Sequence, residues 1–135
     1  MISKIKREKY HIYLDKDNIV HYEEQNKITT DSLRRAAVDL EKILNSPSKP
    51  TRTLLDLRSC DLKRALRLRK ELLKIARLAE RVKKLAVYTD NKLLWILTNF
   101  LYSAIGRKDV KQLVVFFNSE EKALEWLKKK DTVLS

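Results

Sequence analysis

Glycine, proline and cysteine are nearly absent from this chain of 135 residues, which has one glycine, two prolines and one cysteine. A single glycine excludes phosphate-binding loops and dinucleotide-binding turns, because both need several glycines at fixed spacing. The lone Cys60 cannot form an internal disulfide, so we expect a reducing, cytoplasmic location. The G-x-S-x-G, H-E-x-x-H and C-x-x-C motifs are also missing. We therefore expect a protein that is not an enzyme and needs no cofactor.

Long hydrophobic runs and an excess of acidic residues are missing as well. The longest apolar stretch, 93–105, is interrupted by three polar residues and is too short to span a bilayer. Residues 1–12 carry charge without an apolar segment, which argues against a secretory signal. Thirty Lys and Arg face 18 Asp and Glu, a net charge of +12. Such a field favours acidic proteins, polyanions and anionic membrane surfaces as partners.

The hydrophobic pattern predicts one α/β domain over residues 10–130, with flexible ends at 1–9 and 131–135. The predicted order is β-β-α-β-α-β-α-β-α, in which an antiparallel hairpin opens a mixed, mostly parallel sheet. The predicted strands cover residues 11–15, 18–24, 53–57, 84–89 and 113–117. The predicted helices cover residues 30–45, 61–83, 91–105 and 120–130. The first helix is expected to bury Leu33, Ala36, Ala37, Leu40, Ile43 and Leu44.

The opening hairpin is predicted to turn at Lys16-Asp17, with Asp15 opposite Asn18. In that register His11 and His21 are at best diagonal neighbours. Two histidines without a nearby cysteine or carboxylate cluster do not make a metal site. We therefore predict no metal in the domain.

Four segments together resemble the SpoIIAA-like branch of the STAS proteins. They are the opening hairpin, the TLLDL strand with the basic helix after it, the KLAVYT strand and the closing FFNSEEKALEWL. The resemblance covers about residues 10–129 and implies a sheet of four or five strands in a non-catalytic bacterial protein. Relatives with this fold include anti-anti-sigma factors, which bind a kinase, and the branch is compared with lipid-binding SEC14-like domains. A protein-binding regulatory module is the function that the resemblance implies.

One position departs from the phosphorylated STAS proteins, in which an Asp-Ser pair begins the helix after the central strand. Here Asp61 is followed by Leu62, and Ser59 lies out of register. The resemblance therefore does not carry phosphorylation of the usual kind to this chain.

The helix predicted at 61–83 has a continuous row of cations. We call six of them the basic ridge: Lys63, Arg67, Lys70, Lys74, Arg77 and Arg81. They recur every three or four residues, and Lys84 extends the same spacing. An apolar stripe lies about 200° around the helix, so the ridge faces away from the sheet. It is interpreted either as an anion-binding surface or as an ordinary solvated face.

The helix predicted at 91–105 has more apolar residues than one core face needs. Leu94, Trp95 and Tyr102 lie beside that face, on one flank of the helix. Neighbouring helices can cover that flank, or it forms a dimer interface or the wall of an apolar pocket. The sequence leaves these alternatives open.

The turn after the central strand supplies the remaining candidate residues: Asp56, Arg58, Ser59, Cys60 and Asp61. Asp56 ends a parallel strand, where α/β folds usually place ligand-contacting groups. Cys60 lies beside Arg58 near a helix start, two features that lower a thiol's pKa, but no histidine is close in sequence. These five residues are expected to bind a partner or ligand and not to catalyse a reaction.

The leading hypothesis is a regulatory module that docks a protein partner through this turn and the two following helices. The alternatives are a carrier of a small apolar or lipid-like ligand, a homodimer, and a peripheral binder of an anionic membrane or nucleic acid. Nucleic acid is disfavoured, because no aromatic residues interleave with the ridge to stack on bases.

Overall fold

A single mixed sheet organises the computed structural model of the chain, which describes residues 4–24, 29–58, 62–68, 70–71, 83–89 and 114–129. Its six strands are β1 (Lys4–Lys6), β2 (Tyr10–Leu14), β3 (Ile19–Glu24), β4 (Arg52–Asp56), β5 (Lys84–Tyr88) and β6 (Val114–Phe117). The described helices are α1 (Thr30–Leu44), α2 (Leu62–Arg67) and α3 (Glu120–Lys128).

The strands lie in the order β1-β2-β3-β4-β5-β6. Pairing is antiparallel from β1 to β3 and parallel from β3 to β6. The predicted fold class, a mostly parallel sheet opened by an antiparallel hairpin, is confirmed.

Strand β1 is a sixth strand, one more than the sequence pattern predicts, and it lies in the segment 1–9 expected to be a flexible end. It pairs antiparallel with β2, which places Ile5 opposite Ile12. Ile5 packs against the core, while Lys4 and Lys6 are exposed. Three residues with one apolar side chain are too few to show strand periodicity, which explains why the pattern does not reveal β1.

The predicted register of the β2–β3 hairpin is wrong by one residue. The Asn18 N–H donates to the Asp15 carbonyl at 3.1 Å, and the Asp15 N–H donates to the Ile19 carbonyl at 3.0 Å. Asn18 has a φ of 62°, the left-handed conformation that asparagine tolerates better than most residues. It therefore joins the loop as a third residue and shifts the pairing. Tyr13, not Ile12, lies opposite His21 as a result.

Helix α1 covers one face of the sheet. It begins with a capping box, in which the Thr29 hydroxyl accepts from the Ser32 N–H at 3.2 Å and the Ser32 hydroxyl accepts from the Thr29 N–H at 2.8 Å. Five of the six predicted core positions of this helix are buried, and the sixth, Ala37, is half-buried. The core on this face consists of Tyr10, Ile12, Val20, Tyr22, Ala36, Leu40, Ile43, Leu44, Leu55, Leu85 and Val87.

Helix α3 covers the other face, where Ile19, Leu54, Ala86, Ala123 and Leu127 form a second buried cluster. The Ser119 hydroxyl caps its first turn by accepting from the Lys122 N–H at 3.4 Å.

Lys84 starts β5 and does not belong to the helical row of cations that its spacing suggested. Its ammonium donates to the Trp126 and Lys129 carbonyls at 3.1 and 2.8 Å and lies 5.1 Å from the centre of the Trp126 ring. Because helix C-termini carry partial negative charge, this contact ties the end of α3 to β5.

A buried carboxylate ties the β1–β2 turn to α1. Asp39 accepts from Arg7 Nε at 3.1 Å, from Arg7 Nη2 at 3.3 Å and from the Tyr10 hydroxyl at 2.5 Å. Burial alone would raise the pKa of Asp39, but the hydrogen bonds from Arg7 and Tyr10 outweigh it and hold that pKa below its usual 3.8. The charged form of Asp39 therefore stabilises the fold.

We expect Asp39→Asn to lower the free energy of unfolding at pH 7 by about 2 kcal/mol, because charge-assisted hydrogen bonds to a buried group are lost. Tyr10→Phe removes one of these bonds and should cost about 1 kcal/mol. Since the folded-state pKa is depressed, the stabilisation is complete above pH 3.8 and is lost as the pH falls through the folded-state value. Urea denaturation at pH 7 and pH 3 measures this, and an Asp39→Asn variant with the same deficit at both values would contradict it.

Candidate functional site

The carboxyl ends of the parallel strands meet at one edge of the sheet. In register, Glu23 of β3 lies beside Asp56 of β4, Asp56 beside Tyr88 of β5, and Tyr88 beside Phe117 of β6. Side chains alternate along a strand, and Leu54 belongs to the cluster under α3. Asp56 therefore points to the α3 side of the sheet, at the edge from which the chain leads into α2.

Arg58 is clamped by Asp56 and Tyr88, and we call these three residues the Arg58 clamp. Arg58 Nε donates to Asp56 Oδ1 at 2.9 Å, and Nη2 donates to Oδ2 at 2.7 Å. The backbone N–H of Arg58 also donates to Oδ1 at 3.2 Å. The guanidinium carbon lies 4.5 Å from the centre of the Tyr88 ring. These contacts fix the guanidinium plane although 53% of the side chain is exposed.

The backbone supports the same arrangement. The Leu57 N–H donates to the Tyr88 carbonyl at 2.9 Å and fixes the start of the turn on the end of β5. The hydrogen bonds from Arg58 to Asp56 raise the pKa of the guanidinium above its usual value. Burial opposes this rise in pKa, and the charges of Asp56, Tyr88 and Glu120 add to it. Arg58 is therefore a permanent cation with a fixed direction.

Chemically, the Arg58 clamp can bind but has no obvious reactive group. Asp56 has both oxygens in hydrogen bonds and only 14% of its side chain exposed, so it is a poor general base. Arg58 Nη1, in contrast, has no hydrogen-bond partner among the residues that the structure describes. The outer edge of the guanidinium can therefore accept a second anion.

The basic ridge is described at three of its six positions. Lys63, Arg67 and Lys70 are exposed, and none forms an ion pair with a carboxylate in the described part of the chain. Helix α2 ends at Arg67 and Leu68 is a turn residue, so the described part of the predicted 61–83 helix is not one continuous helix. Leu68 is buried, as the spacing predicts. Glu71 follows Lys70 in the chain and lies 3.8 Å from Arg34 Nη2, which places residues 70–71 beside α1. Lys74, Arg77 and Arg81 lie outside the described residues.

Several other predicted site residues also lie outside the described residues: Ser59, Cys60, Asp61, Leu94, Trp95 and Tyr102. The structure brings Asp56 and Arg58 together, and the chain leads from Arg58 through three residues to the start of α2. The loop and the first part of the basic ridge thus adjoin in the chain.

Tyr88 is a site residue that the sequence analysis missed. The available signal is its position, since it ends a buried strand as Asp56 ends the preceding one. Adjacent parallel strands of equal length place their last residues side by side, so the prediction of Asp56 could have been extended to Tyr88.

A second polar group was also missed because the predicted hairpin register was wrong. His21 Nε2 lies 2.7 Å from Asp15 Oδ2, and the His21 and Tyr13 rings stack with centres 4.5 Å apart. Burial would raise the pKa of Asp15, but hydrogen bonds from the Ile19 N–H, His21 and the Asp17 N–H outweigh it and lower that pKa. These contacts stabilise the β2–β3 turn, at the opposite end of β3 from the Arg58 clamp.

The described ranges contain neither a metal-binding cluster nor a membrane-spanning helix. No group of three or more His, Cys, Asp and Glu side chains there is arranged to hold a metal ion. No described helix has the length and apolar character needed to cross a bilayer.

The Arg58 clamp predicts an ordered side chain on the protein surface. We expect the Arg58 Nε–H to give a sharp NMR signal at neutral pH with an order parameter close to that of the backbone. Asp56→Asn should broaden or remove this signal, because the paired acceptor is weakened. Exposed Arg35 of α1 serves as the internal control for an unrestrained arginine. An Arg58 signal as mobile as that of Arg35 would contradict the clamp.

Comparison with known proteins places the chain in a family. A family model described as SpoIIAA-like matches residues 19–128. A crystal structure of an uncharacterised protein from Shewanella loihica with a SpoIIAA-like fold is similar at a TM-score of 0.60 and 20% sequence identity, over 94% of this chain and 98% of that one. No curated protein matches the sequence at a significant level. Because the family model spans most of the sequence and the fold agrees with it, this chain belongs to the SpoIIAA-like family.

Proposed function

We propose that this protein is a non-enzymatic regulatory module that docks an acidic protein partner through the turn after β4 and the basic ridge. Membership of the SpoIIAA-like family supports a regulatory module of this fold. One observation carries the proposal further: Lys63, Arg67 and Lys70 are all exposed, and none of them forms an ion pair with a described carboxylate.

The charges of these cations act together. Positions three and four apart on a helix are neighbours about 5–6 Å apart, well inside the Debye length of about 8 Å at physiological ionic strength. The potentials of Lys63 and Arg67, four residues apart in α2, therefore add at the surface. Lys70 follows three residues later in the chain, and the net charge of +12 adds to the field at longer range. An acidic partner is attracted and oriented by this field, and complementary charge mainly accelerates association and selects the partner.

An exposed apolar residue among the cations favours a protein partner over nucleic acid. Leu66 is 46% exposed and lies in α2, three residues after Lys63 and so beside it on the helix surface. Protein interfaces combine apolar and charged contacts in this way. Single-strand binding instead uses aromatic rings to stack on bases, and the ring of Tyr88 is covered by Arg58.

The alternatives of an apolar-ligand carrier and a homodimer depend on residues 91–105, which lie outside the described residues. They remain hypotheses from the sequence. Binding to an anionic membrane uses the same cations as the proposal, and the experiment below separates it from docking of an acidic protein.

Reversing the described ridge charges with Lys63→Glu, Arg67→Glu and Lys70→Glu should weaken binding of an acidic partner by about tenfold or more, because attraction becomes repulsion. Fluorescence anisotropy with a labelled glutamate-rich peptide measures the affinity. Single-stranded oligothymidylate and phosphatidylglycerol vesicles are compared at the same ionic strength. We expect the peptide to bind most tightly.

A matched control reverses Lys16, Lys49 and Lys129, which are exposed. They precede or flank the amino ends of the parallel strands, at the opposite edge of the sheet. This triple variant has the same reduced net charge as the ridge variant and should keep most of the affinity. Equal losses of peptide affinity in both variants would mean that net charge alone explains the effect, which would contradict a docking site on the ridge. Tighter binding of vesicles or oligonucleotide than of the peptide would contradict a protein partner.

A further inference from the structure

An exposed arginine usually samples many rotamers, and ordering it on binding costs about 2 kcal/mol of side-chain entropy. Arg58 differs, because two hydrogen bonds to Asp56 and the face of Tyr88 already hold its guanidinium. A group that is ordered before binding does not lose this freedom when the partner arrives. The Arg58 clamp is therefore a preorganised donor, three residues before the start of α2 in the chain.

The Arg58 donors that no described residue accepts from lie on one edge of the guanidinium. A guanidinium has five N–H groups, and Asp56 takes one from Nε and one from Nη2. The edge formed by Nη1 and Nη2 keeps three, and the side chain is 53% exposed. Two N–H groups directed away from Asp56 have the spacing that a second carboxylate needs for a two-point contact.

Charge alone does not explain this arrangement. The pair of Arg58 and Asp56 is close to neutral, so it adds little to the long-range field that the lysines create. What it adds is direction, because a planar fork recognises a carboxylate by geometry whereas an ammonium group acts as a point charge.

We propose that Arg58 is the specificity-determining donor of the docking surface and binds one carboxylate of the acidic partner through its Nη1–Nη2 edge, with Asp56 and Tyr88 as positioning residues. This inference rests on the proposed function. The basic ridge brings the partner to the surface, and Arg58 sets the register in which it docks.

Two arginines separate geometry from charge. Arg58→Lys keeps the charge and removes the fork, and it should weaken binding of the glutamate-rich peptide by about tenfold. Arg67→Lys, the matched control on the basic ridge, should change the affinity by less than about twofold, because a point charge suffices there.

Asp56→Asn gives the sharpest contrast. It removes a negative charge beside the site, so simple electrostatics predicts tighter binding of an acidic peptide. Loss of the clamp predicts weaker binding by about threefold to tenfold, with an unchanged dependence on salt because the ridge contacts remain. Tyr88→Phe keeps the stacking ring and should bind as the unaltered protein does, whereas Tyr88→Leu should resemble Asp56→Asn.

Urea denaturation of each variant checks that it is folded, and Arg58→Lys and Tyr88→Leu keep the test decisive if Asp56→Asn does not fold. Equal affinities of Arg58→Lys and Arg67→Lys, or tighter binding by Asp56→Asn, would overturn the role of Arg58. The proposed function would still stand in that case if the ridge triple variant lost affinity. An unchanged affinity in the ridge triple variant would refute the proposed function itself.

Discussion

Parallel pairing of β3, β4, β5 and β6 is the constraint on which the rest of this structure depends. Parallel neighbours need crossovers that carry the chain back across a face of the sheet, so strands in the centre are buried on both faces. The same geometry brings all four carboxyl ends to one edge. Asp56 and Tyr88, which lie far apart in sequence, become neighbours there. Only in that position can Arg58 contact both side chains at once.

Electrostatics is divided between two roles. Three described carboxylates with little exposure each face a specific partner: Asp39 binds Arg7, Asp15 contacts His21 and Asp56 binds Arg58. These contacts stabilise a turn, a loop or an edge strand locally, since an unpaired buried charge would be costly. Lys63, Arg67 and Lys70 have no such partner among the described residues. Part of the excess positive charge of the sequence therefore lies on the surface, where it can attract an acidic partner.

Sequence patterns predicted what depends on local chemistry. The hydrophobic pattern indicated the buried strands, and the spacing of apolar residues indicated the core face of α1. The hairpin register could not be derived in the same way, because it depends on the left-handed conformation of one residue, Asn18. The contact between Arg58 and Tyr88 joins residues far apart in sequence and has no local signature. Asp56 and Arg58 were therefore predicted as site residues, and Tyr88 was not.

The central claim is that an acidic partner docks at the carboxyl edge of the sheet, on Arg58 and the basic ridge. Amide NMR of the labelled protein during titration with the glutamate-rich peptide tests it most directly, because each residue reports separately. The account predicts the largest chemical-shift changes at Arg58, Lys63, Arg67 and Lys70, and a change at the Arg58 Nε–H. Largest changes at the opposite edge, around Lys16 and in the other turns there, would contradict it.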